Sequence, residues 1–276
     1  MDRVEIRNNY RRLNSDGIDP NMCRRVRITR CRISAGDDCV VLKATEERPC
    51  EDVLVADCEF ESAATAIKLG TESHGDFRRI VFTNCVVWNS PTGIGLYAKD
   101  GGAMEDVRFS DIRIETSALT NRSVAPVFVD IERRHATSRV SRIRGVVFEN
   151  LAIRSRYGAL LQGMPERPLE EIVLRDIRFE VNGAADFAGR RKPVGGRRTA
   201  RDERDTRFAT KPAYVVIAHA RGVTVENLSI AIPDDVFAAF PRAALGLYAV
   251  EDARIVGLSR TPANEAAAAI LDRAGP

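Results

Sequence analysis

The chain has 276 residues, of which 44% are hydrophobic, and a formal net charge of +3. That length allows one large domain or two small ones with a buried core, and a nearly balanced charge gives no reason to expect nucleic acid as a partner. No apolar run is long enough to span a membrane, and the opening Met1-Asp2-Arg3-Val4-Glu5-Ile6 is already strand-like, unlike a signal peptide.

The first notable stretch reads Asn14-Ser15-Asp16-Gly17-Ile18-Asp19, and a second reads Gly36-Asp37-Asp38-Cys39 ahead of Val40-Val41-Leu42. Both set carboxylates just before short apolar strands. Between and beyond them runs a repeat of the form apolar-x-apolar-x-x-(Cys/Ile/Leu)-x-apolar. It fits Val26-Ile28-Cys31-Ile33, Val53-Val55-Cys58-Phe60, Ile80-Phe82-Cys85-Val87 and Val107-Phe109-Ile112-Ile114, each 27 residues after the last. It returns at Val146, Ile172 and Val223, with a weakened copy at Ala253-Ile255-Leu258. Asp57, Asn84, Asp111, Asn150, Asp176 and Asn227 precede the Cys/Ile/Leu position. Asn and Asp tolerate left-handed backbone, so each copy is expected to be a strand, a sharp bend and a second strand.

Another strand follows in each period, as in Cys39–Leu42, Ala66–Leu69 and Ile94–Tyr97. Several strands per period, without helical periodicity, predict an all-β, single-stranded parallel β-helix. Coils then stack about 4.8 Å apart and equivalent residues form ladders. The solenoid is expected over residues 1–258. A basic loop insertion is expected over 182–211, where Arg190 to Arg207 hold eight basic residues against three acidic ones. Thr261-Pro262 reads as a helix start and Glu265 to Arg273 is Ala-rich, predicting a C-terminal capping helix and tail over 259–276. With no visible cap at the N-terminus, upstream coils are expected to be missing. The bare edge of the first coil then invites end-to-end self-association.

Cys31, Cys58 and Cys85 occupy the repeat position later held by Ile112 and Leu151, which predicts a buried ladder. No Cys-x-x-Cys pair points to zinc, and Cys23 and Cys50, read as loop residues, are left as an open pairing. No metal or cofactor is called for. Aligning the coils on Leu42, Leu69 and Leu96 sets Asp38 level with Thr65 and stacks Asp16 one coil below, with Asp37 beside them. Carboxyls that close share protons unequally, giving an acid and a base in one site, which is the equipment for glycoside hydrolysis. Asp-Gly and Gly-Asp-Asp are also ordinary turn sequences; two such motifs in register favour the site.

The two motifs resemble signatures of glycoside hydrolase family 28, the polygalacturonases and rhamnogalacturonan hydrolases. The resemblance is carried from the start to about Asp111. It implies a right-handed parallel β-helix of the pectin lyase-like kind, an inverting hydrolase of pectin-like polysaccharides, and a secreted or periplasmic setting. It implies Asp37 as the general acid, Asp16 and Asp38 as holders of the attacking water, and Asn14 beside them. The family's Gly-His-Gly becomes Ala64-Thr65-Ala66, and His74 reads as a surface histidine. The Arg-x-Lys motif that grips a uronate becomes Tyr97-Ala98-Lys99, keeping only Lys99. Lys68 faces outward above the acids, where it either meets a sugar carboxylate or is solvated; Tyr97 either stacks on a sugar or packs. A silent carbohydrate-binding β-helix and a structural or adhesin solenoid are the competing readings. A lyase is less suited to a purely acidic cluster.

Overall fold

Left-handed backbone recurs at fixed height along this chain. Asp57, Asn84, Asp111, Asn150, Asp176 and Asn227 all have φ between 48° and 58°. Each turns the strand at the position the repeat predicts. Their side chains form ladders of their own, with Asn84 Nδ2 donating to Asp57 Oδ1 at 2.6 Å and Asn150 Nδ2 to Asp111 Oδ1 at 2.7 Å. A second series of left-handed bends was not foreseen. Arg25, Asp52, Arg79, Asp106, Gly145, Glu171, Gly222 and Asp252 hold it, with φ between 54° and 67°.

The computed structural model describes residues 1–116, 125–183, 211–239, 241–261 and, by backbone alone, 270–273. They build a parallel β-solenoid of about eight turns. One stack contains β2 (Arg24–Thr29) and β5 (Cys50–Ala56), then the first parts of longer strands such as β8 (Phe77–Ser90) and β10 (Ala103–Thr116). A second holds β1 (Glu5–Arg7), β3 (Arg32–Ala35) and β6 (Glu59–Ser62). The third carries β4 (Val40–Ala44), β7 (Thr65–Ser73), β9 (Thr92–Ala98) and β11 (Ala125–Ile131). Four strands follow in chain order: β12 (Arg142–Ser155), β13 (Ala159–Gln162), β14 (Leu169–Val181) and β15 (Ala213–Ala231).

The pairing is parallel, and its register is the predicted one. Val26 meets Val53, Val53 meets Ile80, and Ile80 meets Val107. The step then lengthens, Val107 meeting Val146, which accommodates the extra residues between Ile114 and Val146. Stacking places like upon like inside. Phe82, Phe109 and Phe148 pile face to face at 5.6 and 5.3 Å, and each is fully buried. Burying one such side chain contributes about 1.5–3 kcal/mol, and repetition turns that into a continuous core. Cys31, Cys58 and Cys85 are free thiols, at most 2% exposed. Cys50 begins β5 rather than lying in a loop, and it and Cys23 are both free.

The C-terminal end departs from expectation. After β16 (Ala243–Val256) come β17 (Ser259–Thr261) and β18 (Ile270–Arg273), which pair in parallel with β15 and β16. Residues 270–273, expected to be helical, are therefore strand. The unpaired edge of β16 offers backbone partners along its length, and that outweighs the weak preference of an Ala-rich segment. Residues 259–261, at the start of that expected segment, are strand as well, and its remainder lies outside the described residues, as does most of the basic insertion. The one helix among the described residues is α1 (Asp234–Ala239), between β15 and β16. It follows Pro233, carries Asp234 and Asp235 in its first turn and buries Val236 and Phe237. Acids there suit the positive end of the helix.

Candidate active site

The third stack presents its outer face at the level of β4 and β7, and two glycines bring a loop onto it. Gly17 lies so close to the next coil that a Cβ would stand 2.4 Å from the Cys39 carbonyl oxygen. At Gly36 a Cβ would stand 2.1 Å from the Asn9 carbonyl oxygen. Only glycine permits these approaches. Gly17 N–H then donates to the Asp38 carbonyl at 2.8 Å, Ile18 N–H to Cys39 at 2.9 Å, and Ile18 pairs with Val40. Asn8 Nδ2 ties the same loop down by donating to the Asp16 carbonyl at 2.8 Å.

This register stacks the acids as predicted. One carboxylate oxygen from each of Asp16, Asp37 and Asp38 lies within 4.8 Å of the others. Asp38 N–H faces Asp16 Oδ1 at 3.3 Å, and Asn14, exposed and at φ 53°, donates its backbone N–H to Asp37 Oδ2 at 3.0 Å. Asn14 thus reaches the cluster through its backbone. The oxygens are nearer than the 6.5–9.5 Å expected between an inverting acid and base. Two hydrogen bonds of about 2.8 Å still span that distance, so one water can bridge two of the carboxylates.

Two lysines complete the site. Lys68 reaches Asp38 Oδ2 at 2.5 Å, and Thr65 N–H donates to Asp38 Oδ1 at 3.1 Å. Lys43, which sequence reasoning passed over, reaches Asp19 Oδ2 at 2.5 Å and Asp16 Oδ2 at 3.2 Å. The motif alignment gave the signal, since setting Ile18 against Val40 also lays Asn21 against Lys43 and brings that lysine to the edge of the acids. Burial pushes the Asp38 carboxyl above the usual aspartate range, against the pull of Lys68 and with help from Asp37 and Asp16. Burial also raises Asp19, against its hydrogen bond to Lys43. Burial alone would lower Lys43, but Asp19 and Asp16 outweigh it and hold the ammonium above the usual lysine range. The acid spacing would suit a divalent cation. Ammonium groups already sit on Asp16 and Asp38, however, so this donor set fits a metal poorly.

The other expected contacts lie one and two coils on. Tyr97 is 4% exposed and its ring stacks on Phe128 at 5.3 Å, so the geometry favours packing over a sugar platform. Lys99 is bound to Glu132, with both side chains nearly buried. Arg134 grips both oxygens of Asp100, at 2.6 and 2.8 Å. Burial favours the protonated Asp100, but Arg134 and the Ser73 N–H prevail and hold it below its usual range. His74 is half exposed, with Nε2 3.9 Å from Asp100 Oδ2.

The profile of Glycosyl hydrolases family 28 matches residues 1–184. A probable polygalacturonase of Vitis vinifera is 23% identical over 183 residues, covering 62% of this chain and 37% of that protein. The crystal structure of a hyperthermoactive exopolygalacturonase from Thermotoga maritima is similar with a TM-score of 0.52 and 27% identity. That match covers 62% of this chain and 40% of the other. The chain thus spans about two fifths of the length of these relatives.

Proposed function

The chain belongs to glycosyl hydrolase family 28, and from that premise we propose that it hydrolyses glycosidic bonds in a pectin-like polysaccharide through Asp16, Asp37 and Asp38. The observation that carries this reading is the gathering of three carboxylate oxygens within 4.8 Å on one outer sheet face. Asp37 protonates the leaving oxygen. Asp16 and Asp38 hold the water and take its proton. Carboxyls in such proximity do not ionise independently, which lets one site hold an acid and a base together. Asp38, buried and raised, is the stronger base of an ordinary pair, and its working pH moves towards neutrality accordingly.

Family membership supports inversion at the anomeric carbon, as well as a secreted or periplasmic setting. The acid spacing leaves the stereochemistry to experiment: the first anomer formed, read by proton NMR on a cleaved oligosaccharide, is the inverted one on this reading. A panel of defined pectic and related glycans, assayed for new reducing ends, tests the activity itself. Asp37→Asn is expected to lower turnover at least a hundredfold, within the range general acid catalysis contributes, while leaving binding intact. Binding without release of reducing ends by the wild type assigns a silent carbohydrate-binding solenoid instead. Absorbance from an unsaturated uronate product would assign a lyase.

A further inference from the structure

Lys68 stands on the outer face of β7, in register with Val41 on one side and Gly95 on the other. Its ammonium is 2.5 Å from Asp38 Oδ2, and the two side chains are 14% and 4% exposed. The Thr65 N–H holds Oδ1, so the next coil claims both oxygens of Asp38. On its far side the ammonium lies 5.6 Å from the centroid of the Tyr97 ring. That ring is fixed in turn by Phe128. Gly95 makes room for it, since a Cβ there would meet the Tyr97 ring at 2.5 Å and Thr65 at 3.0 Å. A flexible lysine is thus held between a carboxylate and an aromatic face.

We propose that Lys68 is the positioning residue of this site: it keeps Asp38 a carboxylate and fixes its orientation beside Asp16 and Asp37. Its use in turnover rests on the hydrolase reading, whereas the ion pair itself does not. The groups around Asp38 are Asp37 beside it, Asp16 from the coil below, Lys43 on β4 just after it, Thr65 and Lys68 above, and Tyr97 beyond. Lys43 is taken by Asp16 and Asp19. Among the described residues Lys68 is the cation that reaches Asp38. Without it the most buried of three mutually repelling acids takes up the proton, and the division between acid and base collapses.

The test is a carboxyl-carbon NMR titration of Asp38, assigned with Asp38→Asn, together with the pH–rate profile on whichever glycan the wild type cleaves. Lys68→Met is expected to move the Asp38 titration upward by about one pH unit or more, and to carry the acidic limb of kcat with it. Lys68→Arg restores both. An unmoved titration overturns the proposal, as does a slower enzyme whose acidic limb stays in place. If Lys68→Met does not fold, Lys68→Gln is titrated in its place: an Asp38 titration moved upward upholds the proposal and an unmoved one overturns it. A moved titration in a protein that cleaves no glycan upholds the charge-setting role and removes the hydrolase reading.

Discussion

The backbone N–H of Asp38 points at the carboxylate of Asp16, 3.3 Å away across 22 residues of chain. A solenoid coil thereby makes neighbours of two acids that a linear reading sees as separate turn residues. Stacking also brings Lys43 onto Asp16 and, from the next coil, Lys68 onto Asp38, so the acids arrive with their counter-charges.

The raised acids give stability an unusual pH dependence. Asp19 and Asp38 lie above the ordinary 3.8 in the folded chain, so in that window the native state binds more protons than the unfolded one. Their contribution therefore grows as pH falls from neutrality through their raised values towards 3.8. Asp100, held below 3.8, acts in the opposite sense, losing its contribution only as pH falls further. Chemical denaturation between pH 7 and 4 is expected to show Asp38→Asn with a flatter pH dependence than wild type. Identical slopes would mean that Asp38 titrates normally.

Gly17→Ala tests the close approach of the loop. Its Cβ would fall 2.4 Å from a backbone oxygen of the next coil, and backbone cannot yield as a side-chain end can. We expect a loss of about 1–3 kcal/mol in stability, with turnover falling further than stability does because Asp16 shifts with the loop. A variant as stable and active as wild type would show that the loop does not set Asp16.

Asn84 tests the turn ladder. Its φ is 49° and its amide bonds Asp57 at 2.6 Å. Asn84→Val is expected to cost roughly 1–2 kcal/mol from the left-handed backbone and about 1 kcal/mol more from the lost hydrogen bond. Asn84→Gly should lose only the second part, since glycine takes that backbone freely. Equal denaturation midpoints for the two variants would refute the backbone argument.

What failed to show in the sequence has a common cause. Tyr97 reads equally as a sugar platform or as packing until Phe128 is found 5.3 Å away, stacked across an insertion that breaks the period. Lys99 reads as the retained half of a uronate-gripping pair until Glu132 is brought beside it by the same coil. The helical reading of 270–273 ignored the edge of β16. Each miss concerns a partner supplied by another coil where spacing is irregular.

The chain alone determined the solenoid, because recurring apolar positions and left-handed turn residues admit one way of stacking whatever the loops between them, and matching Asp16-Gly17-Ile18 to Asp38-Cys39-Val40 set the two acids in adjacent coils. Tertiary structure decided how the charges pair: which lysine meets which acid, how near the carboxylates come, and which rings are covered. Those depend on side-chain reach between coils over a few ångströms, and a repeat fixes backbone height without fixing that reach.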